Sequence, residues 1–161
     1  MPLVLVRVDC RLIHGQVIEA WLPFTGADCL VVANDEVAGD FLQKSIMTMA
    51  VPPTIEIAIL GVREAADALT NHEFAAKRIM LLFANCQDAL ECHRLGLHFD
   101  RLNLGNLVCT PGKTQITCSI SLDQRDVECL KQIRDDGVQI DVRSIPQDTS
   151  QKFSQIVTAC P

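Results

Sequence analysis

The chain has 161 residues, 48% of them hydrophobic, 21% charged and 4% aromatic, with no tyrosine. Acidic residues outnumber basic ones 20 to 14, giving a formal charge of −6 without any lysine- or arginine-rich run, which argues against nucleic acid as a partner. The length fits one domain over residues 1–161 that buries its core without metals or disulfides, and no stretch has the roughly 18 unbroken apolar residues of a membrane span.

The first apolar run, 3-LVLVRV-8, predicts a strand. It leads into 9-DCRLIHGQV-17, where a helix over about 15–22 is expected to begin. Asp9, Arg11, His14 and Gly15 stand at that joint. Backbone N–H groups at the helix start, together with the Arg11 guanidinium, make a site for an anion, phosphate above all. Gly15 would let the backbone approach such a ligand closely. A neutral imidazole beside a phosphate is a nucleophile toward phosphorus. Asp9 could hold one ring nitrogen or the arginine. On local physics alone, a capping histidine with a surface Arg–Asp pair explains the same letters. Trp21, seven residues beyond His14, reads as core packing.

A second strand, 29-CLVVA-33, ends at 34-NDE-36, where Asn34 or Asp35 can cap a helix over 37–50. Pro52 and Pro53 mark a turn into a strand over 55–60. A helix over 62–71, closed by Asn71, precedes a strand over 79–83 and a helix over 86–95. Cys86, Cys92, His93 and His98 match no zinc spacing, so no metal is predicted. After a strand over 101–105 comes 105-GNLVCTPGKT-114. Its G-K-T would complete a nucleotide P-loop only with glycine at 107, where Leu107 stands. No nucleotide cofactor follows, although the loop could still bring Lys113 toward the site. An extended piece over 115–121, a helix over 123–136 capped by Asp123 and closed by Gly137, a strand over 138–143 and a helix over 149–158 complete the chain. The eight cysteines contain no C-x-x-C and read mostly as small buried hydrophobes.

Strands alternating with helices imply an α/β fold with a mostly parallel sheet covered on both faces. Its site should lie outside the carboxyl ends of the strands, at 9–15, 34–36, 84–86 and 104–114. With no basic leader ahead of the first apolar run, a cytoplasmic location is expected, and docking onto a membrane protein is compatible with it.

The string 7-RVDCRLIHGQV-17 resembles the active-site signature of the IIB component of the mannose/fructose/sorbose-type phosphotransferase system (PTS). The segments 31-VVANDEVAGD-40, 52-PP-53, 79-IMLLFAN-85, 103-NLG-105 and 112-GKTQ-115 fall in the same family's order. Cys10 stands where the family carries a polar or acidic residue, and the loop after Gly105 reads Asn106, Cys109 and Thr110. The resemblance implies a three-layer α/β/α sandwich. It implies that His14 is phosphorylated on Nδ1 by a phosphohistidine of a IIA protein and passes the group to a sugar held by membrane IIC and IID subunits. Arg11 would contact the phosphoryl oxygens and Asp9 would order the loop, with Arg7, Gly15, Gln16 and Lys113 as further phosphate-binding candidates. No cofactor is implied, because the donor is already activated. A phospho-carrier used for regulation, without a sugar of its own, is the alternative. The apolar composition would permit a homodimer. Near the arginines, the Cys10 thiol would have a lowered pKa and could gate the site by oxidation.

Overall fold

The computed structural model describes residues 3–108 and 110–157. Its centre is a seven-stranded sheet in the order β3-β2-β4-β1-β5-β8-β9. The strands are β1 (Leu3–Asp9), β2 (Cys29–Ala33), β3 (Glu56–Leu60), β4 (Ile79–Phe83), β5 (Arg101–Asn106), β8 (Gln139–Val142) and β9 (Gln151–Lys152). All neighbours are parallel except β8 and β9. A separate antiparallel pair, β6 (Thr114–Gln115) with β7 (Ser121–Leu122), replaces the continuous extended piece predicted over 115–121. The central strands β2 and β4 are buried at every position. Continuous Val/Ile/Leu runs have this form because both of their faces meet helices.

The helices divide between the two faces. A π-helix (Gln16–Trp21), α1 (Leu22–Thr25), α2 (Asp35–Ala38) and α3 (Phe41–Ala50) pack on one side. On the other lie α4 (Val62–Thr70), α5 (Cys86–Arg94), α6 (Gln124–Asp135) and α7 (Phe153–Val157). The result is the α/β/α sandwich that the family resemblance implies.

Two predicted helices are broken. The helix expected over 37–50 stops at Ala38 and restarts at Phe41, because Asp40 is extended and its carboxylate accepts a bond from Gln43 N at 3.0 Å. The residues that follow include Phe41, Leu42, Ile46 and Met49, all more than half exposed, so α3 buries no residue fully. The helix expected over 149–158 is a short strand followed by five helical residues. The end of that prediction lies outside the described residues. Elsewhere the capping reads through. Asp123 and Asp126 form a reciprocal capping box on α6. Gly137 follows α6 with φ of 95°, the left-handed geometry that favours glycine.

Cys29, Cys86, Cys92 and Cys129 are buried, and Cys118 is exposed. Burial pushes the Cys92 thiol up to about 12 and the Cys29 thiol to about 11, so neither is a nucleophile near neutral pH. Cys109 and Cys160 lie outside the described residues. Among the described residues, no helix is long and apolar enough to cross a membrane.

Candidate functional site

The chain leaves β1 on one face of the sheet, through the π-helix, and leaves β5 toward α6 on the other. Since β1 and β5 are neighbours, their carboxyl ends form the switch point, the place where α/β sheets hold ligands. His14 is there.

Alternation along β1 points Val6 and Val8 into one core and Leu5 toward the other. Arg7 and Asp9 therefore share the Leu5 face, and both are fully buried. The Asp9 carboxylate organises the site. Its Oδ1 accepts a bond from the backbone N–H of Arg11 at 3.0 Å. Its Oδ2 accepts from Arg7 Nη2 at 2.9 Å and from Asn106 Nδ2 at 2.9 Å, and lies 2.7 Å from His14 Nε2. Burial alone would raise the Asp9 pKa. The bond from His14, the charge of Arg7 and the bond from Asn106 outweigh it and hold the carboxyl below its ordinary range. An ionised carboxylate only accepts, so Nε2 of His14 is the donor. The other ring nitrogen, Nδ1, has no partner among the described residues, and the imidazole is 13% exposed.

The loop between Asp9 and His14 is held in a costly shape. Leu12 has φ of 55°, a left-handed conformation that costs a non-glycine residue about 1–2 kcal/mol. Its side chain is 2% exposed in the second core, and its N–H bonds to the Asp9 carbonyl at 2.9 Å. Burial of the leucine offsets the strain and fixes the path that lifts His14 over Asp9.

The helix after His14 is π-wound over six residues, where sequence periodicity gives an ordinary α-helix over 15–22. No side chain caps its start at Gly15, which leaves first-turn amides available to an anion. Gly15 itself has φ of −52°, and a Cβ there would meet nothing within 4 Å. Its value is therefore open space beside the imidazole and not a special backbone. Arg11 is exposed and bonds to Gln16 Oε1 at 3.3 Å, and Asn106 Nδ2 reaches the same oxygen at 2.9 Å. Thus Asp9, Arg11, His14, Gly15 and Gln16 lie together around this loop.

Two predicted phosphate ligands spend their donors inside the protein. Arg7 is 0% exposed, and its donors go to Asp9, Asn103 and the carbonyls of Arg143 and Ser144, so it has none left for a ligand. Lys113 spends its charge on Asp126 Oδ2 at 2.6 Å and Asp123 at 3.7 Å, at the start of α6. Among the described residues, no contact joins it to the His14 loop. Burial works against the Lys113 charge, but the bond to Asp126 and that carboxylate's charge raise its pKa. Replacing Lys113 with methionine should destabilise the fold by about 1–3 kcal/mol, because Asp126 is 1% exposed and loses a charged donor. A urea titration measures that cost, and the chemistry at His14 should be unaffected.

Cys10 is disulfide-bonded. It is therefore not the low-pKa thiol expected from its neighbours. Asn34 and Asp35 are structural: Asn34 caps α2, and Asp35 Oδ1 accepts from Val62 N at 2.8 Å. Trp21 is core, at 1% exposure. His93 bonds to Asp136 and to the Leu97 carbonyl.

Asn106 and Asn103 are the site residues that sequence reasoning missed. The pairing of β1 with β5 steps from Val8↔Leu104 to Asp9↔Asn106, so Gly105 is an extra residue in β5. That bulge delivers Asn106 to Asp9, and nothing local in 103-NLGN-106 announces it.

Comparison with known proteins identifies the family. The model for the PTS system sorbose subfamily IIB component matches residues 3–160. The sorbose-specific EIIB component of Klebsiella pneumoniae is 31% identical over 150 residues, covering 93% of this chain and 92% of that protein. The mannose-specific EIIAB component of Escherichia coli K12 is 32% identical over 158 residues, but the chain spans only 49% of its length. The crystal structure of the IIBSor domain of the Klebsiella pneumoniae sorbose permease superposes with a TM-score of 0.93 at 30% identity, covering 99% of this chain and 98% of that one. A buried carboxylate under a partly buried histidine, at the switch point of this sheet, is thus the local geometry of a chain that belongs to the PTS sorbose-subfamily IIB components.

Proposed function

We propose that the protein carries a phosphoryl group on His14, taken from a phosphohistidine of a IIA-type protein and passed to a sugar held by membrane IIC and IID subunits. The observation that carries this reading is the 2.7 Å contact between His14 Nε2 and Asp9 Oδ2. It fixes the ring so that the Nδ1 lone pair is the one left for chemistry. In the first step Nδ1 attacks phosphorus in line, the new P–N bond forms and the donor's P–N bond breaks. The donor imidazole leaves. In the second step a sugar hydroxyl attacks the same phosphorus, the His14 P–N bond breaks to leave the neutral imidazole, and the hydroxyl proton passes to a base beside the sugar or to water. Both steps spread negative charge over three equatorial oxygens. In this reading Arg11 and the uncapped first turn of the π-helix meet that charge. As Nδ1 gains its phosphoryl group, the Nε2–H bond to Asp9 stabilises the charge that develops on the ring. The exposed apolar row of Phe41, Leu42, Ile46 and Met49 supports a protein–protein contact on that face of the sheet.

Incubation with a phosphorylated IIA donor tests the reading. The expected product is one phosphoryl group per chain, labile in acid and stable in base, located on His14 by peptide mapping. Transfer to another residue, or none from a donor that phosphorylates an authentic IIB protein, rules it out. Membranes containing the IIC and IID subunits then test the second step, with phosphorylated sugar as the readout.

A further inference from the structure

The guanidinium of Arg7 occupies a seat built from four separate stretches of chain. Nε and Nη2 donate to Asp9 Oδ2 at 3.2 and 2.9 Å. Nη1 donates to Asn103 Oδ1 at 2.5 Å and to the Arg143 carbonyl at 3.1 Å, and Nη2 also reaches the Ser144 carbonyl at 2.9 Å. The indole of Trp21 covers it, with the guanidinium carbon 5.1 Å from the ring centroid and the indole N–H on the same Ser144 carbonyl at 2.8 Å. The floor is Gly105. A Cβ there would fall 1.9 Å from Arg7 Cζ, so only glycine leaves room for the side chain. The bulge that removes Gly105 from the pairing with β1 thus does two things: it opens this seat and it brings Asn106 to Asp9.

We infer that Arg7 is a positioning residue for the phosphoryl relay: clamped between Gly105, Asn103 and Trp21, it holds Asp9 where its carboxylate fixes the tautomer and orientation of His14. The inference rests on the reading of His14 as phosphoryl carrier. It assigns Arg7 no contact with phosphate and none with a partner protein, since the residue is fully buried. Only a planar fork can serve Asp9, Asn103 and the two carbonyls together. A lysine keeps the charge but offers one point donor group and cannot hold the same directions.

Arg7→Lys is the direct test. In unphosphorylated wild-type protein, the nitrogen-15 shifts of the His14 ring should report a single tautomer, protonated on Nε2. In Arg7→Lys they should report a mixture. Phosphoryl acceptance at saturating donor should slow by about 100-fold, the size of a misplacement near 1 Å. The donor concentration for half-maximal rate should not change, because no surface is altered. The fluorescence of Trp21, the only tryptophan, reports whether the seat is still occupied. If Arg7→Lys does not fold, Asn103→Ala decides: it loosens one arm of the fork while leaving the charge in place. A tautomer mixture with acceptance slowed about 10-fold would support the inference. A folded variant with the wild-type tautomer and rate overturns it. The two readings fail separately. If wild-type protein accepts no phosphoryl group while the variants still shift the tautomer, the relay reading falls and the positioning stands.

Discussion

His14→Ala and His14→Gln should both reduce phosphoryl acceptance to background, a loss of at least about 10⁴-fold for a residue that acts as nucleophile. The glutamine variant is the more informative. Its amide N–H can still donate to Asp9, so the loop keeps its anchor, but no nucleophilic nitrogen stands where Nδ1 was. If positioning by Asp9 were all that His14 contributed, glutamine would retain part of the activity. The cost in stability should be small, near 1–2 kcal/mol for the alanine variant, because Asp9 keeps Arg7 and Asn106 as donors. Loss of transfer can then be read as lost chemistry and not as unfolding, provided a thermal melt accompanies each assay. The chain has four histidines. Acid-labile phosphate that persists in both variants would place the carrier on His72, His93 or His98 and defeat the assignment.

The sheet was legible because its strands announce themselves individually. Five-residue runs such as Cys29–Ala33 and Ile79–Phe83 are apolar at every position, which a strand covered on both faces requires. The place of the site was legible for a similar reason, since strand–helix alternation fixes which ends of the strands hold ligands. What could not be read were features set by pairings between distant segments. Arg7 follows a run of apolar residues in β1, and nothing local says whether an arginine there faces solvent or a seat. The answer comes from Asn103, 96 residues on, and from carbonyls near residue 144. The bulge at Gly105 exists only in relation to β1. The G-K-T context points Lys113 toward the site, but two carboxylates at the start of α6 hold its charge. The π-winding after His14 shares its apolar spacing with an α-helix over so short a span, so periodicity does not separate them.

Asp9→Asn should be the most destabilising conservative change in the molecule outside the apolar core, at about 3–5 kcal/mol near neutral pH. The size follows from what it leaves behind. Arg7 and Asp9 are both fully buried and 2.9 Å apart, so removing the carboxylate charge strands a guanidinium in the core. Burial already lowers the Arg7 pKa, and the charge and hydrogen bond of Asp9 are what chiefly oppose it. The pH dependence separates this cause from a packing defect. Because the folded-state pKa of Asp9 is depressed, its contribution is fully present above the unfolded value of about 3.9. It declines as pH falls from there through the lower folded value, where the proton that the unfolded chain binds first finally binds the native state as well. Wild-type protein should therefore lose stability below about pH 4 more steeply than Asp9→Asn, and the gap between the two should narrow. Urea midpoints from pH 7 down to pH 3 measure it. A gap that stays constant across that range would mean that the asparagine disturbs packing alone, and that the charge on Asp9 is not what holds Arg7, and through it the His14 loop, in place.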